Sequence, residues 1–267
     1  MLRAFRAEWY KLWRRGMVLG GLGTMVGIAL LVVILVFANA QATPPPASAN
    51  PNERPLPTFA ALAAQNGMVL PFGFAGGLLG LIALVLFAQS LGSEYRDGTL
   101  KVLLSREPRR LRLLAGKLAA LACFVLVGVT LAFLLQSIAA FLMAGVRGIS
   151  TASWTTWDAM QVEGGVLWRT CAATLAHGLL GAALAILLRA AAPAIGVGIG
   201  YTLLGEPLIL LVWRDGRKWL PEQVFSAFAA GGNAALSFGA ASLLATIYAA
   251  ALLAAQGGVF WRRDVTT

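Results

Sequence analysis

MVLGGLGTMVGIALLVVILVF, residues Met17 to Phe37, decides the fold, because no charged side chain interrupts it. A helix of that length, at about 1.5 Å per residue, covers roughly the 30 Å of a bilayer's hydrocarbon core. Backbone polar groups in hydrocarbon must be paired within the segment, and a helix does this by itself. Ala38-Asn39-Ala40 behind the run resembles a signal-peptidase site. The run is longer than the roughly 7–15 apolar residues of a secretory signal core, so it is expected to stay as the first span.

The rest of the chain has the same character. Apolar residues make up 59% and charged residues 12%, against about 25% charged in a soluble globular protein. So few charges cannot cover a soluble surface. The expected fold is all-helical and membrane-integral, with six transmembrane helices at about 17–37, 66–92, 118–145, 170–188, 194–213 and 234–259 within one membrane domain, residues 17–261. A kink is expected near Pro71 and Gly73. Asn39–Leu56, with Pro44-Pro45-Pro46, reads as an exposed loop, and Arg189-Ala-Ala-Ala-Pro193 as a tight connection. The uncharged stretch from Gln223 to Trp261 is too long for one crossing. It is read as a short dipping segment, a break at Gly231-Gly232-Asn233, and the sixth span.

The net charge of +10 is spread between the apolar runs, a pattern that points to membrane orientation rather than to nucleic acid. With the N-terminus inside, fifteen Lys and Arg fall on the cytoplasmic side and six on the other. Both termini are therefore expected in the cytoplasm, with 262–267 as a short tail. Trp154 and Trp157 suit a membrane interface, and Cys123 and Cys171 are expected to be buried free thiols.

Two cytoplasmic segments stand out. In residues 1–16, Leu2, Phe5, Trp9, Leu12 and Trp13 recur at helical spacing, with Arg3, Lys11 and Arg14 away from them. This is an amphipathic helix for the interface, either a simple anchor or a mechanical link to a partner. Between spans two and three, residues 94–117 carry the densest charge. A short helix with an apolar edge (Glu94, Tyr95, Arg96, Gly98, Thr99, Leu100, Leu103) is expected to end at Pro108, before a basic turn of Arg109, Arg110 and Arg112. From charge alone, this loop can equally be a topogenic contact with headgroups.

The order Glu-Tyr-x-x-Gly-Thr-Leu-Lys-x-Leu-Leu-x-x-x-Pro-x-Arg from Glu94 to Arg110, then Lys117, resembles the type-two ABC transporter permease family, the membrane subunits of ABC exporters. Ala7-Glu8-Trp9-Tyr10-Lys11-Leu12 is similar to the opening of that family's small six-helix bacterial members, and Trp219-Leu220-Pro221 to their external segment. The resemblance implies that residues 1–16, with Glu8, Trp9 and Lys11, form a connecting helix. It implies that 94–117 holds the coupling helix for a separate ATPase. It also implies a bacterial cytoplasmic membrane, two ATPase copies, a second or homologous permease copy, and ATP and Mg bound by the ATPase alone. No Gly-x-x-x-x-Gly-Lys-Ser/Thr loop is present in the sequence, so this chain is expected to bind no cofactor and to carry no catalytic or metal-binding residues.

The single histidine, His177, falls inside span four, where a packed, hydrogen-bonded role is expected. Glu206 is the one acid well inside a span, between Gly205 and Pro207. With Tyr201 it is a candidate for the translocation pathway; as a structural residue it would pair with Arg169 or Arg214. Small-residue pairs Gly23/Gly27, Gly76/Gly80 and Gly196/Gly200 allow close helix approach. Two other readings stay open: an ATPase-independent transporter or channel using Glu206, and a non-transporting membrane assembly factor.

Overall fold

The computed structural model describes residues 2–42, 57–99 and 109–262, and within them the protein is all-helical. Helix α1 (Leu2–Leu12) precedes six helices long and apolar enough to cross a membrane. These are α2 (Arg15–Ala38), α4 (Leu70–Arg96), α5 (Arg110–Arg147), α6 (Trp157–Leu188), α7 (Ala191–Val212) and α9 (Phe238–Arg262). Two short helices lie between spans, α3 (Phe59–Ala63) and α8 (Pro221–Ala230). Leu100 and Leu103, most of the loop at 39–56, and the tail beyond Arg262 lie outside the described residues.

Each expected span corresponds to one of these helices, but several boundaries differ from the sequence reading. Glu94, Tyr95 and Arg96 form the last turn of α4 and not a separate loop helix. Arg110 and Arg112 open α5 instead of forming a turn, and Lys117 lies inside that helix. Long basic side chains can reach polar surroundings from a continuous helix, so charge did not mark its end. Helix α6 starts at Trp157, well before the expected 170, because the Thr156 side chain caps the Ala159 N–H and Asp158 sits in the first turn. Pro71 falls in the first turn of α4, where its missing N–H costs nothing.

The core gathers α2, α4, α5 and α6. At one end Phe72 meets Phe133 edge-on at 5.2 Å, and Trp154 meets Phe141 at 5.1 Å. Trp154 is buried, its indole N–H donating to the Leu62 carbonyl at 3.0 Å, so it serves the core and not the interface; Trp157 is exposed. Cys123 also departs from expectation, since it faces outward. The α4–α6 seam is tight: a Cβ at Gly181 would stand 2.2 Å from the Leu84 carbonyl oxygen, and one at Gly80 would stand 2.8 Å from His177 Nδ1. Gly27, Gly196 and Gly200 instead face open space. Helices α2 and α7 each contain a π-helical turn, Val18–Gly23 and Tyr201–Gly205.

Candidate functional site

The first turns of α1 set up the site. Phe5, Glu8 and Leu12 recur three and four residues apart and share a face, so Glu8 is turned inward with the apolar residues. Leu12 is fully buried and Glu8 nearly so. An aromatic ladder fastens the same helix: Phe5 stacks on Trp9 at 5.8 Å, Trp9 meets Trp13, and Trp13 meets Phe124 of α5 at 6.4 Å.

Glu8 meets side chains from the two spans that flank the 97–109 connection. Lys117, buried on α5, donates to Glu8 Oε2 at 2.7 Å and to Glu94 Oε1 of α4. Ser90, one turn before Glu94, donates to Glu8 Oε1 at 2.5 Å. Lys11, at the partly exposed rim, lies 3.2 Å from Glu8 and 3.3 Å from Glu94. Removing such charges from water costs several kcal/mol each, so they persist only because each finds an opposite partner. Burial raises the pKa of Glu8. The ammonium groups of Lys117 and Lys11, with hydrogen bonds from Lys117 and Ser90, outweigh burial and hold its carboxyl below the usual range. Glu94 Oε2 has no hydrogen-bond partner, and a cavity of about 500 Å³ opens beside it, lined in part by Arg14, Asp97 and Thr99. Gly98 has φ +65°, a conformation that favours glycine, although nothing packs against it.

A second polar cluster lies where α8 packs into the spans. Glu206 is wholly buried, and its two oxygens accept the Glu222 and Gln223 backbone N–H groups at 2.8 and 3.3 Å. It therefore caps the N-terminus of α8, and neither Arg169 nor Arg214 pairs with it. Arg169 sits at the other end of α8, donating to the Ala229 carbonyl at 3.4 Å beneath Phe238, while Arg214 is exposed. A negative charge at the helix N-terminus and a positive one at its C-terminus both suit the helix dipole. His177 lies 2.8 Å from the Ala173 carbonyl and 2.6 Å from Glu222, hydrogen-bonded as expected. Tyr201 stands beside Glu206.

A family model described as a protein of unknown function (DUF2705) matches residues 30–265. The chain belongs to the DUF2705 family. No curated protein matches it. The DUF2705 match includes Ser90, Glu94, Lys117, His177 and Glu206, and begins after α1, so Glu8 and Lys11 precede it.

The structure thus unites Glu8, Lys11 and Glu94, three residues singled out from sequence, and leaves Trp9 in the aromatic ladder. Tyr95 and Arg96 stay on α4, where Arg96 pairs with Asp97 at 2.9 Å. Sequence reading missed the roles of Lys117 and Ser90. The signals were present: a lone lysine inside an apolar run needs a carboxylate, and Ser90 is one helical turn from Glu94. The depressed Glu8 carboxyl also sets a pH window. Its contribution to holding α1 is full above the ordinary glutamate range, near pH 4.3, and is lost as pH falls through its lower folded value. Acidification through that range should release α1, read as a change in Trp9 and Trp13 fluorescence. Glu8→Gln should remove the transition.

Proposed function

We propose that this chain is the permease subunit of an ATP-driven ABC exporter in a bacterial cytoplasmic membrane, paired with a second permease and two separate ATPase subunits. One observation supports this reading above the others: Lys117 bridges Glu8 of α1 and Glu94 of α4 in a buried ion cluster. The resemblance assigns α1 to the connecting helix and 94–117 to the coupling segment. The cluster makes α1 and both roots of that segment one mechanical piece. A push on the connection at 97–109 then moves α1, α4 and α5 together. ATP binding on the partner can drive this only if the two permease conformations bind the ATP-loaded partner with different affinity. In this reading the cluster lies on the cytoplasmic side, both termini face the cytoplasm, and ATP and Mg stay on the partner.

A transporter that uses Glu206 as an ion site is less well supported, since both Glu206 oxygens already accept backbone N–H groups. We read Glu206 as the anchor of α8 and not as a pathway ligand.

Purification of the tagged chain from its native membranes tests the proposal. An ABC ATPase should co-purify, and its hydrolysis of ATP should rise in the complex. Gly98→Val, placed where φ is +65°, should cut that stimulation several-fold while leaving the amount of inserted protein unchanged. A chain that purifies without any ATPase, with transport that follows a proton gradient alone, would overturn the reading.

A further inference from the structure

Helix α8 is held at its first turn by a histidine whose two ring nitrogens both face oxygen. Nδ1 lies 2.8 Å from the Ala173 carbonyl, and Nε2 lies 2.6 Å from Glu222 Oε2. A carbonyl can only accept, and neutral imidazole has a single N–H. Satisfying both contacts with an ionised Glu222 requires a ring protonated on both nitrogens. We propose that His177, which is buried, and Glu222, at its partly exposed edge, form a proton-binding site, and that the bound proton fastens α8 to the bundle.

The surroundings support a site built for one positive charge. The ring is buried, seated on Gly80 of α4, and flanked edge-on by Phe225 of α8 at 5.2 Å. The ionisable groups around it come from every side. Helix α8 gives Glu222 and α7 gives Glu206; Tyr201 of α7 and Tyr248 of α9, whose hydroxyl donates to the Trp219 carbonyl, stand beside Glu206. Helix α4 presents Gly80 to the ring and carries its ionisable residues only at its far end, Glu94 to Arg96, and Arg169 of α6 is committed to the far end of α8. Two carboxylates therefore gather at the first turn of α8, against one proton on the imidazole. Without that proton, the Nε2 lone pair faces a carboxylate oxygen at 2.6 Å, a repulsive contact between two acceptors. The separation that relieves this moves Glu222, and with it the first turn of α8.

The chain has a single histidine, so nitrogen NMR of histidine-labelled protein in lipid nanodiscs reports one imidazole. At about pH 7 both ring nitrogens should read as protonated. On raising the pH, loss of the second proton should coincide with release of α8. Release is followed with the buried Ala227→Cys thiol in a Cys123→Ala, Cys171→Ala background, normalised to the exposed Ser226→Cys thiol to remove the intrinsic pH dependence of thiolate reactivity. The normalised labelling should rise roughly tenfold, the change that one unit of coupled titration produces. Glu222→Gln should leave one ring nitrogen unprotonated at about pH 7. An unprotonated nitrogen in the wild-type protein at that pH, or labelling that stays flat through the titration, overturns the proposal. Both of those readings come from the unaltered site and do not depend on how Glu222→Gln folds.

Discussion

Lys117→Met should lower the protein's stability by about 3–5 kcal/mol, because it leaves Glu8 and Glu94 facing each other in a buried site without their shared cation. Lys11 at the rim cannot replace it, being partly exposed and farther from both carboxylates. The measurement is an unfolding titration in detergent against the unaltered protein. Adding Glu8→Gln and Glu94→Gln to Lys117→Met should recover most of the loss, since replacing a whole buried ion cluster by neutral groups is often close to neutral. The triple variant also separates holding from transmission. If the cluster transmits motion to and from an ATPase, stimulated hydrolysis stays low in the triple variant although the fold is restored. A Lys117→Met protein as stable as the unaltered one would show that the cluster does not hold α1 in place.

Gly181→Ala should be nearly as damaging, although it adds one methyl group. The new Cβ would meet the Leu84 carbonyl oxygen at 2.2 Å and the Leu84 backbone carbons within 3 Å. Backbone cannot rotate away as a side chain can, so α4 and α6 must separate, at a cost of about 1–3 kcal/mol or more. Gly77→Ala on α4 is the matched control. Nothing lies within 4 Å of that position, so the higher helix propensity of alanine should stabilise by up to about 1 kcal/mol. Equal stability of the two variants would mean that the α4–α6 seam is looser than its geometry indicates.

The six spans were legible because uninterrupted apolar runs report residence in hydrocarbon directly. Their ends were less so. Arg110, Arg112 and Lys117 look like loop residues to a charge count, yet all three lie in the continuous helix α5. Helix α6 was placed too late because Glu163 and Arg169 shorten its apolar run, while the capping signal of Thr156 and Asp158 was a better guide to its start. A short helix before the last span, Pro221–Ala230, ends at Gly231, which has φ +81°, where the sequence reading had placed a break. The partner of Glu206 was not legible. Charge pairing favoured an arginine, whereas the carboxylate is held by backbone N–H groups sixteen and seventeen residues away, and those have no signature in the sequence. Glu8 was noticed as part of a motif, but its place on the buried face of α1 is a matter of helical phase that its charge concealed.

The ion cluster at α1 has a consequence for how the protein responds to salt. Two carboxylates and two ammonium groups close on one another there, so their fields cancel within a few ångströms. Glu8, Glu94 and Lys117 are buried, so mobile ions screen them little, and only Lys11 at the rim is partly exposed. The electrostatics that the surroundings can sense at this end belong instead to Arg6, Arg14 and Arg15, which are exposed and stand outside the cluster. Attraction between these arginines and acidic headgroups weakens beyond a Debye length of about 8 Å at physiological ionic strength. Raising the ionic strength therefore screens the exposed arginines of this end while leaving the grip of α1 on α4 and α5 intact.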